Sequence, residues 1–170
     1  MKRLLVVPLI VAAALVLLAG PALAAITTTI TPANAPSGTH LQSGAIGCTV
    51  GAGLSVNCTT FQLAGVGNTN AVVLLSADYS ATVDCRNHGG QVVESHTTDF
   101  TATSSATATS SKNGRLTVPA QSVSPASVGQ VCPNPNWTPL IRGGTLVLDS
   151  FRYTLTFNNF TGAYITITGP

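Results

Sequence analysis

Three histidines, His40, His88 and His96, are the side chains in this sequence best placed by type to act as bases near neutral pH. Serines abound, so a Ser–His–Asp relay can be written on paper. A nucleophilic serine of the hydrolase kind sits on a sharp Gly-x-Ser-x-Gly turn, and the nearest stretch, Gly53-Leu54-Ser55-Val56-Asn57, lacks the last glycine. His88-Gly89-Gly90 looks like part of an oxyanion loop, yet Asn87 to Gly90 reads more simply as a chain reversal. Glycoside hydrolysis needs two acids facing one cleft. Residues 25–170 hold only Asp78, Asp84, Glu94, Asp99 and Asp149, and Asp78, Asp84 and Asp149 fall inside regular strand patterns. No Asp-x-Asp-x-Asp loop, His-x-x-x-His or Cys-x-x-Cys occurs, which argues against a built calcium or zinc site. His96 and Glu94 share a strand face and read as a solvated pair. No catalytic residue, no metal ligand and no cofactor is assigned, and the chain is read as a non-enzyme.

Aromatic side chains carry the remaining chemistry. Residues 131–140, VCPNPNWTPL, contain the single tryptophan, Trp137, and three of ten prolines. Pro133 and Pro135 fix φ and lower the loop's entropy. Trp137 has two readings: a cap packed beside a disulfide, as in antibody domains, or a stacking platform for sugars, with Tyr164 and Phe160 as further ligand contacts. The cap is favoured, which makes the stretch a bracket. Asn57-Cys58-Thr59, Asn136-Trp137-Thr138 and Asn159-Phe160-Thr161 match the glycosylation sequon; in a bacterium they are chance products of an Asn/Thr-rich chain.

The elements that must position these residues follow from patterning. Residues 1–24 have the form of a secretory signal: Lys2 and Arg3, an apolar run from Leu4 to Leu18, and Ala22-Leu23-Ala24 as the cleavage site. Pro8 and Gly20-Pro21 interrupt a run already short for a membrane span. Residues 25–170 then form one secreted domain. Its Arg86, Lys112, Arg115, Arg142 and Arg152 balance the five acids, so it is neutral and has no broad basic patch. That composition excludes nucleic acid and, after signal cleavage, membrane as partners. A cell-wall polysaccharide or another extracellular protein is the expected partner.

Thr, Val, Ala, Ser and Gly dominate, and β-branched residues favour pleated sheet. In residues 71–86, AVVLLSADYSATVDCR, odd positions from Val73 to Cys85 are apolar and even positions from Ser76 to Arg86 are polar, a long half-buried strand. In residues 145–157, Val147, Phe151, Tyr153, Leu155 and Phe157 share one face; Asp149 interrupts it, which points to a rim, a bulge or a polar contact. Residues 26–31 and 163–168 form a first and a last strand. Asn113-Gly114 predicts a type I′ turn between 101–111, an edge strand with wet faces, and 115–120. Four cysteines predict two disulfides, out of three pairings. Gly51 and Gly53 suit a tight return between Cys48 and Cys58, which leaves Cys85 for Cys132. The sum is all-β: an immunoglobulin-like antiparallel sandwich of about eight to ten strands with two disulfides.

The segments CTTFQLAGVGN, VDCRNHGG, SKNGRLTVP and CPNPNWTP, with the Thr-rich last strand, look similar to small secreted β-sandwich proteins of high-GC Gram-positive bacteria. That resemblance covers most of residues 25–170 and implies an exported bacterial protein, with no specific activity to carry over. A looser resemblance is to the antitumour chromoprotein apoproteins of actinomycetes. They are small Ser/Thr/Ala-rich sandwiches with a stapled loop like 48–58, but their second bridge is short, so the likeness is one of architecture. The expected role is a structural or interaction module at the cell envelope or beyond. The alternatives are a carbohydrate-binding module using Trp137, then a small-molecule carrier or a protease inhibitor.

Overall fold

The computed structural model describes residues 25–125 and 131–170; the stretch 1–24, expected from its sequence to be an export signal, lies outside the described residues. The described residues form twelve strands: β1 (Thr27–Ile30), β2 (His40–Gly44), β3 (Cys48–Val50), β4 (Val56–Cys58), β5 (Phe61–Ala64), β6 (Ala71–Arg86), β7 (Val92–Ala108), β8 (Arg115–Val118), β9 (Gln121–Val123), β10 (Thr138–Ile141), β11 (Val147–Phe157) and β12 (Ile165–Gly169). Their only helical pieces are two three-residue 3-10 turns. The protein is all-β, with antiparallel pairing throughout.

The largest sheet runs β1-β12-β11-β6-β7, and β10 lies beside the far end of β6 on the flank that β11 occupies nearer its start. Two three-stranded sheets, β2-β5-β8 and β3-β4-β9, complete the fold. One face of the large sheet packs on them through a shared core. Val73, Leu75, Ala77 and Tyr79 of β6, Phe151, Tyr153, Leu155 and Phe157 of β11, and Ile165 and Ile167 of β12 meet Val56, Phe61, Leu63, Leu116 and Val118. Each large side chain taken from water contributes roughly 1.5–3 kcal/mol, which is why the period-two pattern of β6 sets its register.

Three expectations change. The strand expected at 101–111 is the second half of a 17-residue strand, β7, that begins at Val92 and pairs with β6 along its whole length. Asn113-Gly114 does not make a type I′ turn. Gly114 alone has positive φ, at 72°, and the loop is closed by the Ser111 N–H donating to the Arg115 carbonyl at 2.7 Å. This loop carries the chain out of the large sheet into β8, which pairs with β5. Third, Val147 is not on the buried face: it is exposed and Leu148 is buried instead. The β6–β11 register shifts between Leu148 and Ser150, and the extra residue is Asp149. The acid that broke the apolar pattern therefore marks a β-bulge, exposed, and accepts a hydrogen bond from Ser80 Oγ at 3.0 Å.

Two disulfides staple the fold. Cys48–Cys58 spans the first and last paired residues of the β3–β4 ribbon, and Cys85–Cys132 ties β6 to the segment ahead of β10. Such bonds fit an oxidising environment. No helix among the described residues is long and apolar enough to cross a membrane.

Candidate functional site

The stretch 131–140 is held to β6 twice. Cys132 is bonded to Cys85, and Pro139 lies opposite the same Cys85 in the β6–β10 ladder. Between them the Trp137 N–H donates to the Asn134 carbonyl at 3.0 Å, and the Asn136 N–H donates to Asn134 Oδ1 at 2.9 Å. Asn134 thus folds the loop on its own backbone, as an Asx turn does. Trp137 is half-buried at its end. Ala81, Val83 and Cys85 are buried although they stand apart from the main core, on the part of β6 that this segment is pinned to. The geometry is that of a bracket.

Tyr164 and Phe160 lie elsewhere. Tyr164 is only 5% exposed, and its ring stands 5.6 Å from that of Phe157. Its carbonyl accepts from the Thr31 N–H and its N–H donates to the Leu155 carbonyl, both at 2.8 Å, so the backbone locks the ring inward. Phe160 packs half-buried against Phe157 at 6.3 Å. Phe157 is opposite Ala71 at one end of β6, and Thr138 is opposite Arg86 at the other. At ~3.3 Å per residue the two ends are about 50 Å apart. Trp137 and the Tyr164–Phe160 pair do not form one platform.

The histidines are likewise dispersed. His40 begins β2 and its Nδ1 donates to the Gly38 carbonyl at 2.8 Å; His88 is exposed in the β6–β7 loop; His96 lies on β7 opposite Val83. Among the described residues no three ligating side chains gather to hold a metal ion. Asp78, Asp99 and Asp149 line one shallow depression, where Asp78 accepts from Thr101 Oγ1 at 2.7 Å and Ser150 Oγ at 3.2 Å.

One charged cluster is well built. Asp84, nearly buried, accepts from Arg142 Nη2 at 2.6 Å and from Ser95 Oγ at 2.7 Å, and Arg142 also donates to Ser95 Oγ at 2.9 Å. The hydrogen bond from Arg142, then that from Ser95, holds the Asp84 carboxyl below the usual aspartate range, against a smaller opposing effect of burial. This cluster joins β6, β7 and the turn after β10. Nothing in the sequence pairs positions 84, 95 and 142; only the register of three strands brings them together.

Two surfaces are organised enough to bind something. The outer face of the large sheet is a grid of hydroxyls. Thr29, Thr166, Thr154, Leu74 and Ser105 form one cross-strand row, and Thr27, Thr168, Arg152, Ser76 and Thr103 form the next. On β6, one strand in from the β7 edge, Leu74 and its neighbour Val72 are each 44% exposed. At one end of the fold, Ile26, Val50, Leu54, Leu146, Val147 and Leu148 line an apolar cleft of about 500 Å³. Val147 and Leu148, just ahead of the bulge at Asp149, both line it, and the Cys48–Cys58 staple ties together the ribbon that supplies Val50.

Searches of family models, of curated proteins and of solved structures give no match to this chain.

Proposed function

We propose that this chain is an exported, non-catalytic interaction module, an immunoglobulin-like β-sandwich of high-GC Gram-positive origin that binds another extracellular protein through the outer face of its large sheet. The observation that carries this reading is the pair Val72 and Leu74, exposed among the hydroxyls of that face. β6 is paired there with β11 on one side and β7 on the other, so both side chains are held on a fully paired backbone. Exposed apolar side chains bordered by polar ones are the anatomy of a protein interface, and the neutral surface around them sets no charge barrier.

The test is binding to material from the envelope of the producing cell, and to peptidoglycan, chitin and cellulose, by wild type, Val72→Glu/Leu74→Glu and Trp137→Ala. The expected outcome is a protease-sensitive complex lost in the double variant and kept in Trp137→Ala. Retention on a polysaccharide, abolished by a still-folded Trp137→Ala, overturns the reading in favour of a sugar module. A second reading, a small-molecule carrier, is favoured by the apolar cleft between β3, β11 and Pro170, since its volume and mostly apolar side-chain lining are those of a ligand site.

A further inference from the structure

The edge of the large sheet at β7 has a property that neither the cleft nor the outer face shares: it specifies its occupant by backbone geometry. In an antiparallel ladder each residue turns its N–H and C=O to one flank only, alternately. The Thr82 N–H donates to Thr145 Oγ1 at 3.1 Å, and the Thr82 carbonyl accepts from the Arg142 N–H at 2.8 Å, so even-numbered residues of β6 face the β10–β11 flank. Odd-numbered residues of β6 therefore face β7. Their partners, from Glu94 through Phe100 to Ala108, are the even-numbered residues of β7. That leaves Ser95, Thr97, Asp99, Thr101, Thr103, Ser105 and Thr107 with both backbone groups turned away from β6. All seven are exposed, and among the described residues β7 pairs with β6 alone. This open ladder spans about 40 Å, with neither proline nor lysine to blunt it.

We infer that β7 pairs with β7 of a second copy of this chain, antiparallel about a two-fold axis at Thr101. The register follows from charge and from the count of facing residues. An axis at Thr101 sets Thr97 opposite Ser105, Ser95 opposite Thr107 and Asp99 opposite Thr103, so all seven residues find partners. With two bonds for each facing pair, about fourteen backbone hydrogen bonds form. An axis at Asp99 would oppose the two Asp99 carboxylates and leave two of the seven unpaired. The hydroxyl side chains that face each other on the Thr101 axis are favourable cross-strand pairs. A two-fold axis also closes the assembly, since each β7 has one open edge and both are used. The two large sheets become one, and their hydroxyl faces become continuous. The pairing rests on the β7 backbone alone and stands whether or not the outer face binds a protein.

The test is analytical ultracentrifugation of the purified protein carrying residues 25–170, as wild type, Thr101→Pro, Thr101→Lys and Thr101→Val. Proline at 101 removes an N–H that makes no bond to β6, a place where an edge strand tolerates it. Lysine places two like charges on the axis, and valine keeps the backbone. Wild type and Thr101→Val are expected to sediment as dimers, with the dissociation constant raised at least tenfold by Thr101→Pro and by Thr101→Lys. Should far-UV circular dichroism show Thr101→Pro unfolded, Thr101→Lys decides alone. A wild type that is monomeric at about 100 µM, a weak-affinity ceiling, overturns the inference. So does a dimer that the folded variants leave unchanged.

Discussion

The two disulfides close loops of very different length, and that difference fixes the order of their effects. Cys85–Cys132 encloses a separation of 47 residues and Cys48–Cys58 one of 10. On the chain-entropy relation, removing the long bridge costs about 4 kcal/mol and the short one about 3 kcal/mol. The long bridge also pins the bracket over Ala81, Val83 and Cys85, which stand outside the main core. Cys85→Ala/Cys132→Ala should therefore suffer twice: through a freer unfolded chain and through an opened flap. In urea, with a slope of about 2 kcal/mol per molar, the midpoint of this variant should fall by about 2 M, against about 1.5 M for Cys48→Ala/Cys58→Ala. Hydrogen exchange should separate the two parts of the effect. Amides at 81–86 should lose protection below the global transition in the long-bridge variant only, and Trp137 emission should shift to the red. If the short-bridge variant proves the less stable, or if amides at 81–86 stay as protected as β11, the bracket is not what buries this end of β6.

Other consequences are separable. Tyr79 Oη donates to the Leu54 carbonyl at 3.0 Å, whereas Tyr153 Oη is buried with no protein partner among the described residues. Tyr79→Phe should then cost about 1 kcal/mol, and Tyr153→Phe should be neutral or stabilising by up to about 1 kcal/mol; thermal melts of both compare them directly. Because its neighbours lower the Asp84 carboxyl in the folded state, its contribution is fully present above the unfolded aspartate value of about 3.9 and is lost as pH falls through the folded value. Stability measured from pH 6 down to pH 2 should fall less steeply in Asp84→Asn than in wild type. Gly65 has φ of 76°, and a Cβ there would sit 2.2 Å from the Gly38 carbonyl oxygen, so Gly65→Ala should cost about 2 kcal/mol or more in urea unfolding.

Much of this was legible in the sequence where burial is one-sided and the strand is long. The alternation of residues 71–86 gave β6, and Cys85 on its inner face reaches the bracket as expected, because a half-buried strand imposes period two. Asp149 was legible as an irregularity before it was legible as a bulge; the register shift it marks, exposing Val147 and burying Leu148, depends on the partner strand. The first half of β7 was less clear, since residues 92–95 are exposed on both faces and show no period. Strands of three residues, β3, β4 and β9, are too short for any period to be counted. Tyr164, between a glycine-containing loop and β12, has the local sequence of a surface aromatic. Its burial comes from backbone bonds to Thr31 and Leu155, which no local pattern encodes. The outer hydroxyl grid and the open β7 edge needed strand order and register.

The central claim is that the outer face of the large sheet is the working surface. It is tested most directly by residue-resolved amide exchange and methyl chemical shifts of the protein, alone and with envelope material from the producing cell. The account predicts perturbation centred on the Val72 and Leu74 methyls, extending to Thr154 and Thr156 of β11 and fading towards residues 131–140. Perturbation confined to Trp137 and its loop, or to the cleft around Val50 and Leu146, would contradict it.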